Sequence, residues 1–166
     1  MNLNEQFEKT SSGNTYWGKT AAGVMFYAER TGKIGLTLRS ANVEQPGTYG
    51  VIGGAIDPDE DPKAAAAREC EEEIGVYPDH LETLDVFKDA EFKYTTFLAR
   101  VPVEFSAKRL NWESDDFEWF SWDEIPWEDL HFGVEKTLSK EGVKAKLIKH
   151  VADSLAAAIV VTGLLQ

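Results

Sequence analysis

The sequence predicts an α/β fold in which helices pack on a mixed β-sheet, and three observations support this prediction. Segments with strand character lie on both sides of one sharply bounded helix, and a second helical pattern follows near the end of the chain. This order of elements is typical of helices packed on a mixed sheet. The length of 166 residues suits one globular domain.

The strand patterns before the helix follow a polar start. We expect residues 1–15 to be a flexible N-terminal segment and residues 16–166 to be a single domain with a C-terminal helix. Alternation of apolar and polar side chains, and turn residues such as Thr31-Gly32-Lys33, set the strand limits. The predicted strands are 16–30, 34–39 and 49–52, the last ending at Gly53-Gly54.

The helix is predicted at residues 62–74 because its end signals are clear. Asp61 suits the N-cap and Pro62 the first helical position, where no backbone N–H is needed. The alanine run that follows has high helix propensity. Gly75 is suited to end the helix in a left-handed conformation.

More strands and a closing helix follow Gly75. An acidic loop at 111–116 precedes the last of these strands. The predicted strands are 81–88, 91–103 and 117–122. Residues 134–160 have a helical pattern, with a break expected near Gly142.

Two faces of the helix at 62–74 differ in character. One face, expected to pack on the sheet, carries Ala67, Cys70 and Ile74. The neighbouring face carries three acids, Glu69, Glu72 and Glu73. Like charges three or four residues apart repel and destabilise a helix, so we expect a divalent cation to compensate them. The alternative is that these acids form an ordinary solvated face.

Composition limits the classes of function. The formal net charge of −12 argues against general nucleic-acid binding, which needs a basic surface, although much of this acid serves solubility. No apolar run is long enough to cross a bilayer. The single Cys70 and a start without an apolar signal region favour a cytoplasmic protein.

The spacing of residues 54–76 resembles a known motif. Gly54, five residues, Glu60, seven residues and then Arg68-Glu69-Cys70-Glu71-Glu72-Glu73-Ile74-Gly75-Val76 resemble the complete Nudix box. The resemblance extends with decreasing specificity over roughly residues 17–130. It implies an α/β/α sandwich and a Mg²⁺-dependent enzyme, with Mn²⁺ as an alternative ion. The implied reaction is attack of water on phosphorus in a nucleoside diphosphate linked to another group.

The resemblance also implies roles for residues of the box. Glu69, Glu72 and Glu73 would be catalytic and would bind the metal, with Glu69 also a candidate base. Gly54 would offer its backbone carbonyl to the metal. Glu60 and Arg68 would pair with each other and orient the loop and helix.

Residues outside the box are less well defined by the sequence. Glu113 is the candidate for a further metal ligand, with Asp115, Asp116 and Glu118 as rivals, or the whole loop is merely solvated. Arg39 and Lys93 are candidates for substrate binding, although a lone cation is often only solvated. The three histidines have no ligand-like spacing and receive no role.

Three functions compete on the sequence alone. The first is the pyrophosphohydrolase, acting on nucleoside triphosphates, oxidised ones included, on nucleotide sugars or on ADP-ribose. The second is a non-catalytic Nudix-like module that binds a nucleotide or regulates a partner, and the third is an isomerase on a similar fold. We expect no membrane partner. The apolar residues 156–165 suggest either a homodimer contact or packing on the body of the protein.

Overall fold

The computed structural model describes residues 7–9, 15–17, 20–89 and 91–149 of the chain. Its strands are β1 (Phe7–Lys9), β2 (Thr15–Trp17), β3 (Thr20–Ala28), β4 (Lys33–Arg39), β5 (Tyr49–Gly50), β6 (Ile52–Ala55), β7 (Glu82–Asp89), β8 (Phe92–Val101) and β9 (Ser114–Phe120). Its α-helices are α1 (Pro62–Ile74) and α2 (Phe132–Leu138), and residues 143–149 are also helical.

Strand β3 is the centre of a seven-stranded mixed sheet. Along one edge it pairs in parallel with β8 over its whole length. Its other edge is shared, because its first half pairs with β6 and its second half with β4, both antiparallel. Strand β7 continues the sheet beyond β8, while β5 and β9 pair with β4. Strand β4 therefore leaves β3 after Gly35, and β6 takes its place.

Side chains of β3 alternate between two cores on opposite faces of the sheet. Val24 and Phe26 enter the core beneath α1, which also buries Cys70. Met25 enters the second core, which is built with α2 and the helical residues 143–149. The sheet thus lies between α1 on one face and α2 on the other, which confirms the predicted α/β/α arrangement.

Several strand limits differ from the sequence-based prediction, and two of them have a clear cause. The predicted strands 16–30 and 49–52 are each divided in two, and those predicted to end at 103 and 122 end at Val101 and Phe120. The strand predicted at 117–122 begins earlier, because Ser114 pairs with Arg39 across a register shift in β4. The strand predicted to end at Gly53-Gly54 continues to Ala55, because both glycines pair with β3. Both differences arise from pairing with distant segments, which a local pattern does not reveal.

The two ends of the described chain also depart from the predictions. Strands β1 and β2 pair antiparallel, with Phe7 opposite Trp17, inside a region predicted to be flexible up to residue 15. The domain boundary itself stays a prediction. The predicted helix at 134–160 begins earlier, with α2, and is interrupted at Gly142 as expected, where φ is 83°. The part of that prediction beyond residue 149 lies outside the described residues.

No helix in the described ranges has the length and apolar character needed to cross a membrane.

Candidate active site

Helix α1 begins and ends at the residues that the sequence predicts. Asp61 Oδ1 accepts hydrogen bonds from the backbone N–H groups of Lys63 and Ala64, at 3.0 and 3.1 Å. Gly75 follows the helix with a φ of 71°, a conformation that side-chain-bearing residues rarely adopt. With both ends fixed, the acids of α1 have a defined position relative to the sheet.

A two-pronged ion pair connects α1 to the loop before it. Arg68 donates from Nε to Glu60 Oε1 at 2.9 Å and from Nη2 to Glu60 Oε2 at 3.1 Å. The same carboxylate accepts from the N–H of Asp57 at 3.1 Å. Hydrogen bonds of this charged, two-pronged kind are strong and directional. The expected pairing of Glu60 with Arg68 is confirmed, and it holds the loop against the helix.

Glu69 lies directly against the backbone of β6. A Cβ atom on Gly54 would lie 2.7 Å from Glu69 Oε1, which is closer than real side chains approach. Glycine at this position therefore allows the backbone and the carboxylate to share the space. Glu69 also accepts a hydrogen bond from Arg68 Nη1 at 2.8 Å. The predicted backbone ligand, Gly54, and the first predicted carboxylate are thus neighbours.

Glu73 is the buried member of the acidic face, with a residue exposure of 4%. Its Oε1 accepts from the N–H of Gly53 at 3.0 Å, and its Oε2 accepts from Ser114 Oγ at 3.1 Å. These contacts join α1 to β6 and to the start of β9. Glu73 therefore lies between elements that are distant in sequence, and its carboxylate is held on two sides.

Glu72 is the exposed member, and Glu113 approaches from the loop before β9. The Glu72 side chain is 55% exposed, and both of its oxygens lie 3.5 Å from Arg68 Nη1. Glu113 accepts from Asn111 Nδ2 at 3.2 Å. Glu113 precedes Ser114, whose hydroxyl donates to Glu73, and the charge of Glu113 raises the pKa values of Glu69 and Glu73.

The rivals proposed for Glu113 face other partners. Asp116 accepts from the N–H of Phe117 at 2.7 Å, and Glu118 accepts from the Tyr49 hydroxyl at 2.6 Å. Asp115 is exposed on β9. The geometry therefore favours Glu113 over all three as the acid that joins those of α1.

Burial and mutual repulsion make negative charge costly in this cluster. Burial first, and then the charge of Glu113, raise the pKa of Glu73 to about 8. Burial likewise raises the pKa of Glu69 to about 6, against the opposing effect of Arg68. Burial also raises the pKa of Glu113. A proton or a cation at this site would relieve the repulsion.

The donor set suits a hard divalent cation in its chemistry. Carboxylate and backbone carbonyl oxygens are the ligands that Mg²⁺ prefers. Among the described residues, however, no three His, Cys, Asp or Glu side chains are grouped as a complete metal site. The Arg68 guanidinium instead lies close to both Glu69 and Glu72 and supplies positive charge there. Binding a cation between these acids would require Arg68 Nη1 to give up those contacts.

A cavity of about 340 Å³ opens on the α2 side of the sheet. Glu113, Gly53 and Gly54 line it, whereas none of the described residues of α1 does. This volume lies at the small end of the range for small-molecule sites. Its lining combines backbone of β5 and β6, aromatic rings and a few polar side chains. The lining residues that bear on recognition are Arg39, Gln45, Gly53, Gly54, Phe87, Phe92, Tyr94, Glu113, His131 and Phe132.

The two predicted substrate-binding cations are placed differently. Arg39 lines the cavity, and its Nε donates to the carbonyl of Glu44 at 2.8 Å. Burial lowers the pKa of Arg39. Lys93 is exposed and does not line the cavity, because its neighbours on β8, Phe92 and Tyr94, do so and side chains alternate along a strand. Contact of either residue with a substrate stays a prediction.

Gln45 and His131 line the cavity although the sequence-based prediction names neither as a site residue. The histidine spacing gave no signal, and Gln45 lies in an ordinary turn sequence. The first turn of α2 connects the two residues, since the N–H of Phe132 donates to Gln45 and the N–H of Gly133 donates to His131. No local pattern brings such separated positions together.

The fold and the site together define a class of protein: an α/β/α sandwich whose acid-bearing helix packs on β6, the strand whose Gly53 and Gly54 line a ligand-sized cavity. The family model of the NUDIX domain matches residues 18–140, which is most of the chain. The protein belongs to the Nudix family.

Relatives of known name support this placement. A Mycobacterium tuberculosis protein provisionally named 8-oxo-dGTP diphosphatase 3 is 35% identical over 136 residues, which cover 75% of this chain and 62% of the relative. The chain thus spans less than two thirds of that relative's length. The Escherichia coli CTP pyrophosphohydrolase is 44% identical over 48 residues, covering 29% of this chain and 36% of that protein.

A solved structure shows the same fold. The crystal structure of a Nudix hydrolase from M. smegmatis superimposes with a TM-score of 0.69 at 24% identity. The match covers 86% of this chain and 96% of that structure. The likeness concerns the fold alone.

Proposed function

We propose that the protein is a Mg²⁺-dependent pyrophosphohydrolase that cleaves the diphosphate bond of a nucleoside diphosphate linked to a second group. The observation that carries this proposal is the electrostatic interaction of Glu73 with Glu69 and Glu113, the last of which lines a cavity together with Arg39. The relatives named for 8-oxo-dGTP and CTP support a nucleotide substrate. The charge of these acids would repel a phosphate, and a bound cation would relieve that repulsion.

The acids of α1, together with Glu113 and the carbonyl of Gly54, would hold the divalent ion, with Mn²⁺ able to replace Mg²⁺. When bound, such an ion neutralises charge on the phosphates and on the leaving oxygen. Binding of the phosphates and transfer of the proton depend on the protein's own side chains. Arg39 is positioned in the cavity wall to pair with a phosphate oxygen.

Glu69 is the proposed general base. Its pKa, raised by burial to about 6, lies close to neutral pH, where a base both accepts a proton and is available in ionised form. Water gives its proton to Glu69 while its oxygen forms a bond to phosphorus. The P–O bond to the leaving group breaks, and that group departs with the bonding electron pair as a phosphate product. Each turnover therefore consumes one water and gives two phosphorylated products.

The test is release of nucleotide products with and without Mg²⁺. The panel should contain 8-oxo-dGTP, CTP, ADP-ribose and a nucleotide sugar, with wild type compared against Glu72→Gln. Loss of one charged ligand should reduce turnover more than about tenfold. Glu71→Gln is the matched control, since Glu71 is exposed and occupies a variable position of the box.

Unchanged turnover in Glu72→Gln would reject the proposal. Binding of these nucleotides without turnover would support the second candidate, a non-catalytic binding module. Arg68 contacts Glu69 and Glu72 where a metal ion would otherwise supply positive charge, and this observation favours the non-catalytic module. The cytoplasmic location and the homodimer remain predictions from the sequence.

A further inference from the structure

Two polar side chains of the cavity are held by the same turn of helix. Gln45 lies in the loop between β4 and β5, and His131 is the N-cap of α2. The N–H of Phe132 donates to Gln45 Oε1 at 3.2 Å, and the N–H of Gly133 donates to His131 Nδ1 at 3.1 Å. The acceptor atoms of both side chains, Gln45 Oε1 and His131 Nδ1, are therefore occupied by backbone N–H groups of α2.

The orientation of the Gln45 amide follows from this contact. A backbone N–H needs an acceptor, so the oxygen of the amide faces Phe132 and the NH₂ group is the other end. Gln45 has a φ of 50°, an uncommon conformation for a side-chain-bearing residue, and its carbonyl accepts from Thr48 Oγ1 at 2.7 Å. The loop thus holds Gln45 in a strained conformation that keeps its amide on α2.

The tautomer of His131 is determined in the same way. Because Nδ1 accepts a hydrogen bond, the proton of the neutral ring is on Nε2. Burial, and then the positive charge of Arg39, lower the pKa of His131 to about 3, so the ring is neutral at physiological pH. Within the described residues, neither His131 Nε2 nor Gln45 Nε2 donates a hydrogen bond to the protein.

We propose that Gln45 and His131 select the nucleobase of the substrate, favouring bases with a carbonyl at purine position 6 or pyrimidine position 4 over bases with an amino group at that position. This inference rests on the nucleotide substrate of the proposed function. The cavity offers donors at both side chains, and a carbonyl oxygen has two lone pairs to accept them. An amino group would face these donors with N–H groups of its own and leave them unpaired.

The rest of the cavity suits a flat aromatic ring. Phe87, Phe92 and Phe132 are all in its lining, and they provide apolar surface on which a base can stack. The preferred bases are then guanine, uracil and thymine, which carry O6 or O4 acceptors. Adenine and cytosine carry N6 or N4 amino groups at the corresponding positions.

The test is equilibrium binding by calorimetry in EDTA, so that hydrolysis plays no part. We expect wild type to bind GDP about tenfold more tightly than ADP, and UDP more tightly than CDP, as one or two neutral hydrogen bonds would give. Equal affinities, a preference for ADP and CDP, or no binding of any of the four would overturn the inference.

Two substitutions keep the contacts to α2 but change the group that faces the ligand. In Gln45→Glu, one carboxylate oxygen still accepts from Phe132 and the other presents an acceptor in place of the NH₂ group. In His131→Asp a carboxylate oxygen still accepts from the N–H of Gly133, but the N–H donor that faces the ligand is lost. In His131→Asn the side-chain amide supplies both an acceptor for Gly133 and a donor. We expect the ratio of GDP to ADP affinity to fall about tenfold in the Glu and Asp variants and to be retained in the Asn variant.

The matched control is His80→Asp, which makes the same change at an exposed histidine outside the cavity. Its affinity ratio should equal that of wild type. Unchanged ratios in both Gln45→Glu and His131→Asp would overturn the proposal. A preference for GDP in a protein without turnover would defeat the hydrolase function but support this base selection, and turnover without the preference would do the reverse.

Discussion

Glu73 allows a quantitative test of the electrostatics of the site in the absence of metal. Its carboxylate is buried and carries a pKa of about 8, raised from 4.5 first by burial and then by Glu113. The unfolded chain exposes this group and ionises it near its ordinary pKa. Between about pH 4.5 and 8 the folded protein therefore holds one more proton at Glu73 than the unfolded protein does.

The sign and size of the effect follow from this difference. Where the folded state binds more protons, the free energy of unfolding falls as pH rises, by about 1.4 kcal/mol per pH unit for one proton. From pH 5.5 to 7.5 the contribution of Glu73 should amount to about 3 kcal/mol. Glu73→Gln removes the titrating group, while its amide is able to accept from Gly53 and donate to Ser114.

Urea unfolding in EDTA, followed by tryptophan fluorescence at half-unit steps between pH 5.5 and 7.5, measures the slope. We expect the slope of Glu73→Gln to be shallower than that of wild type by about 1 kcal/mol per pH unit or more. Glu71→Gln, on the same helix but exposed, should keep the wild-type slope. Equal slopes in wild type and Glu73→Gln would refute the account of a buried, repelled carboxylate.

Three further predictions concern individual contacts. Arg68→Lys loses the two-pronged pair with the loop before α1, and because this pair is partly exposed we expect a loss of only about 1 kcal/mol in urea unfolding. Gly54→Ala places a Cβ on Glu69, so turnover should fall more than about tenfold with an unchanged far-ultraviolet circular dichroism spectrum. Glu113→Gln should weaken Mn²⁺ binding, measured by calorimetry, about tenfold, whereas Asp115→Asn on exposed β9 should leave it unaltered.

Much of α1 could be predicted because its signals are local. Asp61, Pro62 and Gly75 act through hydrogen bonds or backbone angles within a few residues, and the helix ends are observed where they indicate. The burial of Cys70 and Ile74 follows from helical periodicity alone. The same periodicity placed Glu69, Glu72 and Glu73 together on the face next to the apolar one.

Features that depend on pairing between distant segments could not be predicted from local sequence patterns. Strand β9 begins at Ser114 because β4 lies beside it, and the same pairing brings the Ser114 hydroxyl to Glu73. Helical periodicity places Glu73 nearer than Glu72 to the face of Cys70, but the contacts of Glu73 with Gly53 and Ser114 depend on how α1 packs against β6 and β9. The contact of Gln45 with Phe132 spans 87 positions and has no local signature.

The central claim is that the acids of α1 hold a divalent cation at the edge of the cavity. Its most direct test is an anomalous difference map from a crystal soaked in MnCl₂. We predict a peak bonded to oxygens of Glu69 and Glu72, at roughly 2.0–2.6 Å, with Arg68 Nη1 moved away from both. A map without that peak, in which Arg68 still holds Glu69 and Glu72, would contradict the claim.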